Sequence, residues 1–182
     1  MKITLIRHGR TIGNVKGCFN GVTNDPLCDD GVETIKEYVE KGIYPEVGIV
    51  VSSPLKRCLQ TSNLIYPQHK PIVVDNLREI NFGDFENKTH LQLENNPDYI
   101  RWIKSNGTSD IPNGESFKAF TDRCVKGFKE SVDVSKNSVN SAFVIHGGTM
   151  MALLTALTGE NFYTTVPVSY THLRAHETRR HL

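Results

Sequence analysis

The sequence predicts an α/β fold: a three-layer sandwich of a mostly parallel sheet flanked by helices, with a small helical lid insertion over residues 76–115. Three observations carry the prediction. Short β-prone runs alternate with stretches of helical period. The runs at 47–51 and 142–145 are almost wholly apolar, as strands covered on both faces must be. Between residues 76 and 115 the alternation gives way to polar loop and short helical pieces, which marks that region as a lid or small lobe.

The elements follow in order. Residues 2–6 form a short strand ending at Arg7-His8-Gly9. Residues 13–30, rich in Gly, Asn, Asp and Thr, read as loop. Val32, Ile35 and Val39 recur at helical spacing, with Gly42 as the stop. The strand at 47–51 leads into Ser52-Ser53-Pro54, where Ser53 is the predicted N-cap and Pro54 the first helical residue. That helix carries Leu55, Cys58, Leu59 and Ile65 and ends at Pro67. Residues 71–74 read as a further strand, and Pro97 opens a short helix inside the insertion. Phe117, Phe120, Cys124 and Phe128 mark the inward stripe of an amphipathic helix, with Glu115 and Ser116 either lining a pocket or capping it. A last strand at 142–145 breaks at His146-Gly147-Gly148, and a helix runs from 149 to about 157.

One domain is expected over residues 1–167. Beyond it, 168–182 changes character: it contains three histidines and three arginines without amphipathic period. This atypical tail resembles the run-on end of a truncated or fused coding sequence, and no function is assigned to it. Composition narrows the classes further. With 21 basic against 20 acidic residues and a net charge of +1, there is no basic footprint for nucleic acid. No apolar run reaches membrane-spanning length, and the start lacks the apolar segment of a secretory signal, so a cytoplasmic location is expected. Cys18, Cys28, Cys58 and Cys124 have no paired spacing and read as reduced thiols, with neither a disulfide frame nor a metal site implied.

The chemistry should lie at the carboxyl ends of the strands, where open parallel sheets bind their ligands. Two strands deliver histidine followed by glycine there: His8-Gly9 and His146-Gly147. If the strands are neighbours, the imidazoles face each other across one pocket. The glycines allow close backbone approach, and the helix after Gly148 brings its positive end. Arg7 and Arg57 carry guanidinium groups suited to phosphate oxygens. Each feature alone is ordinary; two strand-terminal His-Gly junctions with an arginine on the first point to an anion site.

LIRHGRT at 5–11 resembles the signature of the histidine phosphatase superfamily in its phosphoglycerate-mutase-like branch. Further blocks appear in that family's order. Asn14 and Asn20-Gly21 are similar to its phosphate-pocket asparagine and substrate loop, VSSPLKRCLQTS at 51–62 to the block of its phosphoryl-gripping arginine, and LREINFGDFEN at 77–87 to the block of its acid. PNGES at 112–116 and VIHGG at 144–148 complete the series. The resemblance spans residues 2–167, with two departures: Arg10 stands where the family often has Glu, and the unlike tail replaces a further edge strand. The branch with alpha-ribazole and broad sugar-phosphate phosphatases is the nearest likeness.

The resemblance implies a metal-independent, cofactor-free phosphomonoester hydrolase that works through a phosphohistidine. His8 is then the nucleophile, and Arg7, Arg57, Asn14 and a protonated His146 hold the phosphoryl oxygens. Glu79, its pKa raised by burial, is the acid. Asn20, Gly21 and Gly147 are expected at the substrate. Asp84 and Glu86 stay open as alternative carboxylates. A phosphoglycerate-type phosphomutase, a metal-dependent hydrolase using His8, His146 and Glu79, and a catalytically silent binding module are the competing readings. The implied partner is a small-molecule phosphomonoester, with no nucleic acid or membrane, and homodimer formation through edge strands is left open.

Overall fold

The strand runs at 49–51 and 142–145 are apolar at consecutive positions, so both of their faces must be covered, and this decides the layering. The computed structural model describes residues 1–160 and 162. Among them four strands, β1 (Lys2–Arg7), β2 (Ile49–Ser52), β3 (Ile72–Val73) and β4 (Asn140–Ile145), form one sheet in the order β1-β4-β2-β3. Every pairing between these strands is parallel. Along β4, Phe143 and Ile145 point into a core shared with Phe120, Cys124 and Leu153, while Ala142 and Val144 point into a second one with Ile35 and Cys58. Burying a large apolar side chain in either core stabilises the fold by roughly 1.5–3 kcal/mol.

The helices are α1 (Ile12–Val15), α2 (Asp29–Glu40), α3 (Lys56–Ile65), α4 (His90–Leu93), α5 (Pro97–Lys104), α6 (Phe117–Ser135) and α7 (Gly147–Thr158). α2 and α3 pack together and supply one core, and α6 and α7 pack together and supply the other, so both sheet faces are covered. Residues 76–115 fold as single 3₁₀ turns and the short helices α4 and α5. Pro97 occupies the first turn of α5, and the Asn96 side chain caps it. No helix among the described residues is long and apolar enough to cross a membrane.

Three local readings change. The loop predicted over 13–30 holds the one-turn helix α1, closed by a reciprocal capping box between Thr11 and Asn14, and gives way to α2 at Asp29. α3 starts at Lys56 with Leu55 at its N-cap position, not at Pro54 behind Ser53. The Ser53 hydroxyl lies 2.7 Å from His146 Nε2, and Asn24 from a distant loop instead accepts the Lys56 N–H at 2.7 Å. α7 begins at Gly147, two residues before the predicted Thr149, with His146 itself as N-cap. The reading of 168–182 as an atypical tail lies outside the described residues.

The register sets up the site. Arg7 pairs with Ile145 and Ser52 with Val144, so three strands end level. The ladder runs one step further through His8 N–H to the Ile145 carbonyl (3.0 Å) and Ser53 N–H to the Val144 carbonyl (3.1 Å). His8, Ser53 and His146 are therefore brought side by side by backbone pairing alone.

Candidate active site

The two imidazoles lie edge to face, with ring centroids 5.1 Å apart. His8 Nδ1 sits 2.7 Å from the Gly9 carbonyl oxygen, which can only accept, so the proton is on Nδ1 and Nε2 carries the free lone pair. Arg57 Nε–H lies 3.2 Å from both His8 Nε2 and His146 Nδ1 and is shared between them. His146 thus accepts at Nδ1 and donates from Nε2 to Ser53 Oγ. Burial, reinforced by the Arg57 charge, lowers the His8 pKa to about 3. Burial and then the neighbouring His8 and Arg57 hold His146 well below the ordinary histidine range too. Its surroundings remove water and add cations, and both disfavour the imidazolium that the resemblance implies there.

Arg57 is fully buried. Its Nη1 donates to the Thr23 carbonyl at 2.7 Å, and its Nη2 to the carbonyls of Gly21 at 2.7 Å and Asn20 at 3.3 Å. The fork expected to hold phosphate oxygens therefore grips residues 20–23, and Nε is the edge turned to the histidines. That loop is held from behind by Glu86. Its carboxylate accepts from the N–H groups of Gly21, Val22, Thr23 and Phe82 and, at 2.6 Å, from the Thr23 hydroxyl. A side chain at Gly21 would run into the Ile80 carbonyl oxygen, so only glycine lets the loop lie this close. Asn20 donates from Nδ2 to Thr11 Oγ1 and Asp25, which ties its amide into the same framework.

Glu79 is the buried carboxylate beside this cluster. The Ile80 and Gly148 N–H groups donate to its two oxygens at 3.0 and 2.8 Å. Burial nevertheless raises its pKa above the ordinary carboxyl range, outweighing those hydrogen bonds and the charges of Arg57 and Arg7. Glu86 is engaged with the loop, and Asp84 is exposed and bonded to Asn113, so Glu79 is the carboxylate left facing the cavity. That cavity has a volume of about 580 Å³. Arg7, Asn14, Asn20, Glu79, Gly147 and Gly148 supply its polar lining, and Phe19, Phe82, Trp102, Phe117, Phe120 and Met151 its apolar lining.

The sequence-derived residues therefore converge, with differences in detail. His8, His146 and Arg57 form one hydrogen-bonded cluster, and Arg7, Asn14, Asn20, Glu79 and Gly147 line the adjoining cavity. Gly21 lies beneath Arg57 and away from the cavity wall. Ser116 caps α6 through the Ala119 N–H, and Glu115 pairs with Arg123, and neither lines the cavity beside Glu79. Among the described residues no three His, Cys, Asp or Glu side chains gather as a metal-binding group. Sequence reasoning missed Ser53 as the partner of His146, Thr61 as the acceptor of the Gly9 N–H, and Glu86 as the loop anchor. It also missed the aromatic lining; Phe19, Phe82 and Trp102 lie in three separate segments of the chain, and no local spacing links them.

Comparison with known proteins shows the family and the fold. Residues 3–181 match the family model described as the histidine phosphatase superfamily (branch 1). The chain is 31% identical over 164 residues to the adenosylcobalamin/alpha-ribazole phosphatase of Salmonella typhimurium strain LT2, an alignment covering 86% of this chain and 79% of that one. The crystal structure of the alpha-ribazole phosphatase from Shigella flexneri superposes with a TM-score of 0.78 at 30% identity, covering 87% of this chain and 80% of that one. A phosphoglycerate mutase structure from Thermus thermophilus gives a TM-score of 0.71 at 30% identity, covering 88% of this chain and 86% of that one. Since that family model runs along nearly the whole chain, this protein belongs to the histidine phosphatase superfamily, branch 1, and is a hydrolase of the phosphatase kind.

Proposed function

We propose that the protein hydrolyses a small phosphomonoester in two steps, with His8 Nε2 as nucleophile and Glu79 as the proton carrier. The observation that carries this is the His8 imidazole: it holds its proton on the Gly9 carbonyl and turns an unprotonated Nε2 toward Arg57. In the first step Nε2 forms a bond to phosphorus, the bond to the ester oxygen breaks, and Glu79 protonates that oxygen. In the second, water attacks the phosphohistidine and returns a proton to Glu79, while phosphate leaves. Arg7, the Arg57 Nε edge, His146, Asn14 and the backbone around Gly147 stabilise the phosphoryl oxygens. Asn20 and Gly21 act on the substrate through Arg57, because their polar groups hold the loop that grips it.

The aromatic and methionine lining favours a leaving group with an apolar ring, and alpha-ribazole 5′-phosphate is such an ester. Sugar phosphates are the less favoured substrates. A phosphoglycerate carries a second anionic group; Arg7 is the one Lys or Arg among the described residues lining the cavity, so hydrolysis is favoured over a mutase reaction. The test is a panel of alpha-ribazole phosphate, sugar phosphates, nucleotides and phosphoglycerates. Alpha-ribazole phosphate should show the highest kcat/KM. His8→Ala should lower turnover by roughly 10⁴-fold or more. Glu79→Gln should lower it by about 10²–10⁴-fold and leave phosphoenzyme accumulating. Acid-labile phosphate on the His8→Ala protein would show that another residue is the nucleophile.

A further inference from the structure

Glu79 stands on backbone without regular structure: residues 78–82 are neither helix nor strand, and no ladder fixes their position. What fixes them is α6. Arg123 donates from Nη1 to the carbonyls of Asn76 (2.9 Å) and Arg78 (3.0 Å) and from Nη2 to that of Glu79 (3.3 Å). Its remaining N–H groups meet Glu115 in a two-point pair, Nε to Oε1 at 2.9 Å and Nη2 to Oε2 at 2.7 Å. All five guanidinium N–H groups are thereby engaged, with both side chains less than one-fifth exposed. The Thr149 hydroxyl, one residue beyond the Gly148 N–H that meets the Glu79 carboxylate, donates to the Arg78 carbonyl at 3.0 Å from the other side.

We infer that Arg123, locked by Glu115, is a positioning residue that sets the distance between the Glu79 carboxyl and the ester oxygen of the substrate. This inference rests on Glu79 acting as the acid. Arg123 does not line the cavity, and it acts by holding with one planar group the carbonyl of Asn76 in a 3₁₀ turn and those of Arg78 and Glu79 in the irregular backbone after it. Lysine cannot replace it, since one ammonium centre cannot reach three carbonyls and a carboxylate in those directions.

A positioning role has a signature that general loss of structure lacks. Protonation matters when the leaving oxygen is a strong base and hardly at all when it leaves readily as an anion. The experiment compares kcat/KM on an alkyl phosphate with kcat/KM on p-nitrophenyl phosphate, for the wild type, Arg123→Gln, Arg123→Lys, Glu115→Gln and Glu79→Gln. The ratio of alkyl to nitrophenyl rates should fall by about 10-fold or more in Arg123→Gln, because a misplacement of about 1 Å can cost up to 10²-fold. It should fall by less in Arg123→Lys and Glu115→Gln, and most in Glu79→Gln. If Arg123→Gln does not fold, Glu115→Gln, which keeps the side-chain size and one accepting oxygen, carries the comparison. A reduced ratio in Glu79→Gln with unchanged ratios in the Arg123 and Glu115 variants would overturn the inference alone. An unchanged ratio in Glu79→Gln would overturn the proton-carrier reading, and the inference with it.

Discussion

Two imidazoles of one sequence pattern, each followed by glycine, end up in different surroundings because their hydrogen-bond partners differ. His8 gives its Nδ1 proton to a carbonyl and keeps Nε2 as a base, whereas His146 is held between Arg57 and the Ser53 hydroxyl. Burial and the Arg57 charge disfavour the charged form of both. His8, with a pKa lowered to about 3 by burial and Arg57, stays unprotonated through the whole working range. Glu79, raised by burial, must be protonated to act as acid, so activity should be lost as pH rises through its elevated value. The profile of kcat/KM, corrected for the second ionisation of the phosphate ester near pH 6, should therefore show an alkaline limb. It should show no acid limb near the ordinary histidine value of about 6.5. Glu79→Gln should erase the alkaline limb, and a surviving limb in that variant would assign it to another group.

At the level of elements, the site is a set of loops pinned by side chains that never touch the cavity. Loop 20–23 offers its carbonyls to Arg57 and its N–H groups to Glu86, so the guanidinium and the carboxylate clasp the same four residues from opposite sides. Glu86→Gln keeps the shape but turns an amide NH2 toward N–H donors, leaving partly buried groups facing like groups. Hydrogen bonds to charged groups are worth about 1.5–3 kcal/mol each. The substitution should lower unfolding stability by about 3 kcal/mol in urea titration, and kcat/KM by roughly 10-fold or more as Arg57 loosens. A variant with wild-type kcat/KM would mean that α3 alone holds Arg57. PNGES and FGDFEN are visible as blocks in the sequence, yet their roles as clamps are not. Glu86 meets backbone N–H groups, which carry no residue-specific signal, and Glu115 meets Arg123, whose own partners are backbone carbonyls.

For the whole molecule, carrying a neutral buried histidine has a pH-dependent cost. An unfolded chain takes up a proton on His8 below about pH 6.5, while the folded one refuses it until about pH 3, so stability falls as pH drops through that window. Between pH 7 and pH 5 this single group should cost about 2 kcal/mol, with His146 adding in the same direction. Urea unfolding at the two pH values should show that loss, and His8→Gln should recover about 2 kcal/mol of it. An equal loss in the variant would assign acid sensitivity elsewhere. By itself the sequence determined the layered α/β architecture and the pair of histidines at strand ends, because continuous apolar runs between stretches of helical period, and a His-Gly break, are local signals. Arg57 and Glu79, tens of residues from either histidine, stood out through family resemblance and not through spacing. Only the tertiary structure decided that Ser53 serves His146 and not a helix cap, that the Arg57 fork holds a loop, and that burial works against a charged His146. Those outcomes depend on burial and on which backbone atoms lie within about 3 Å, quantities that exist only once distant segments have packed.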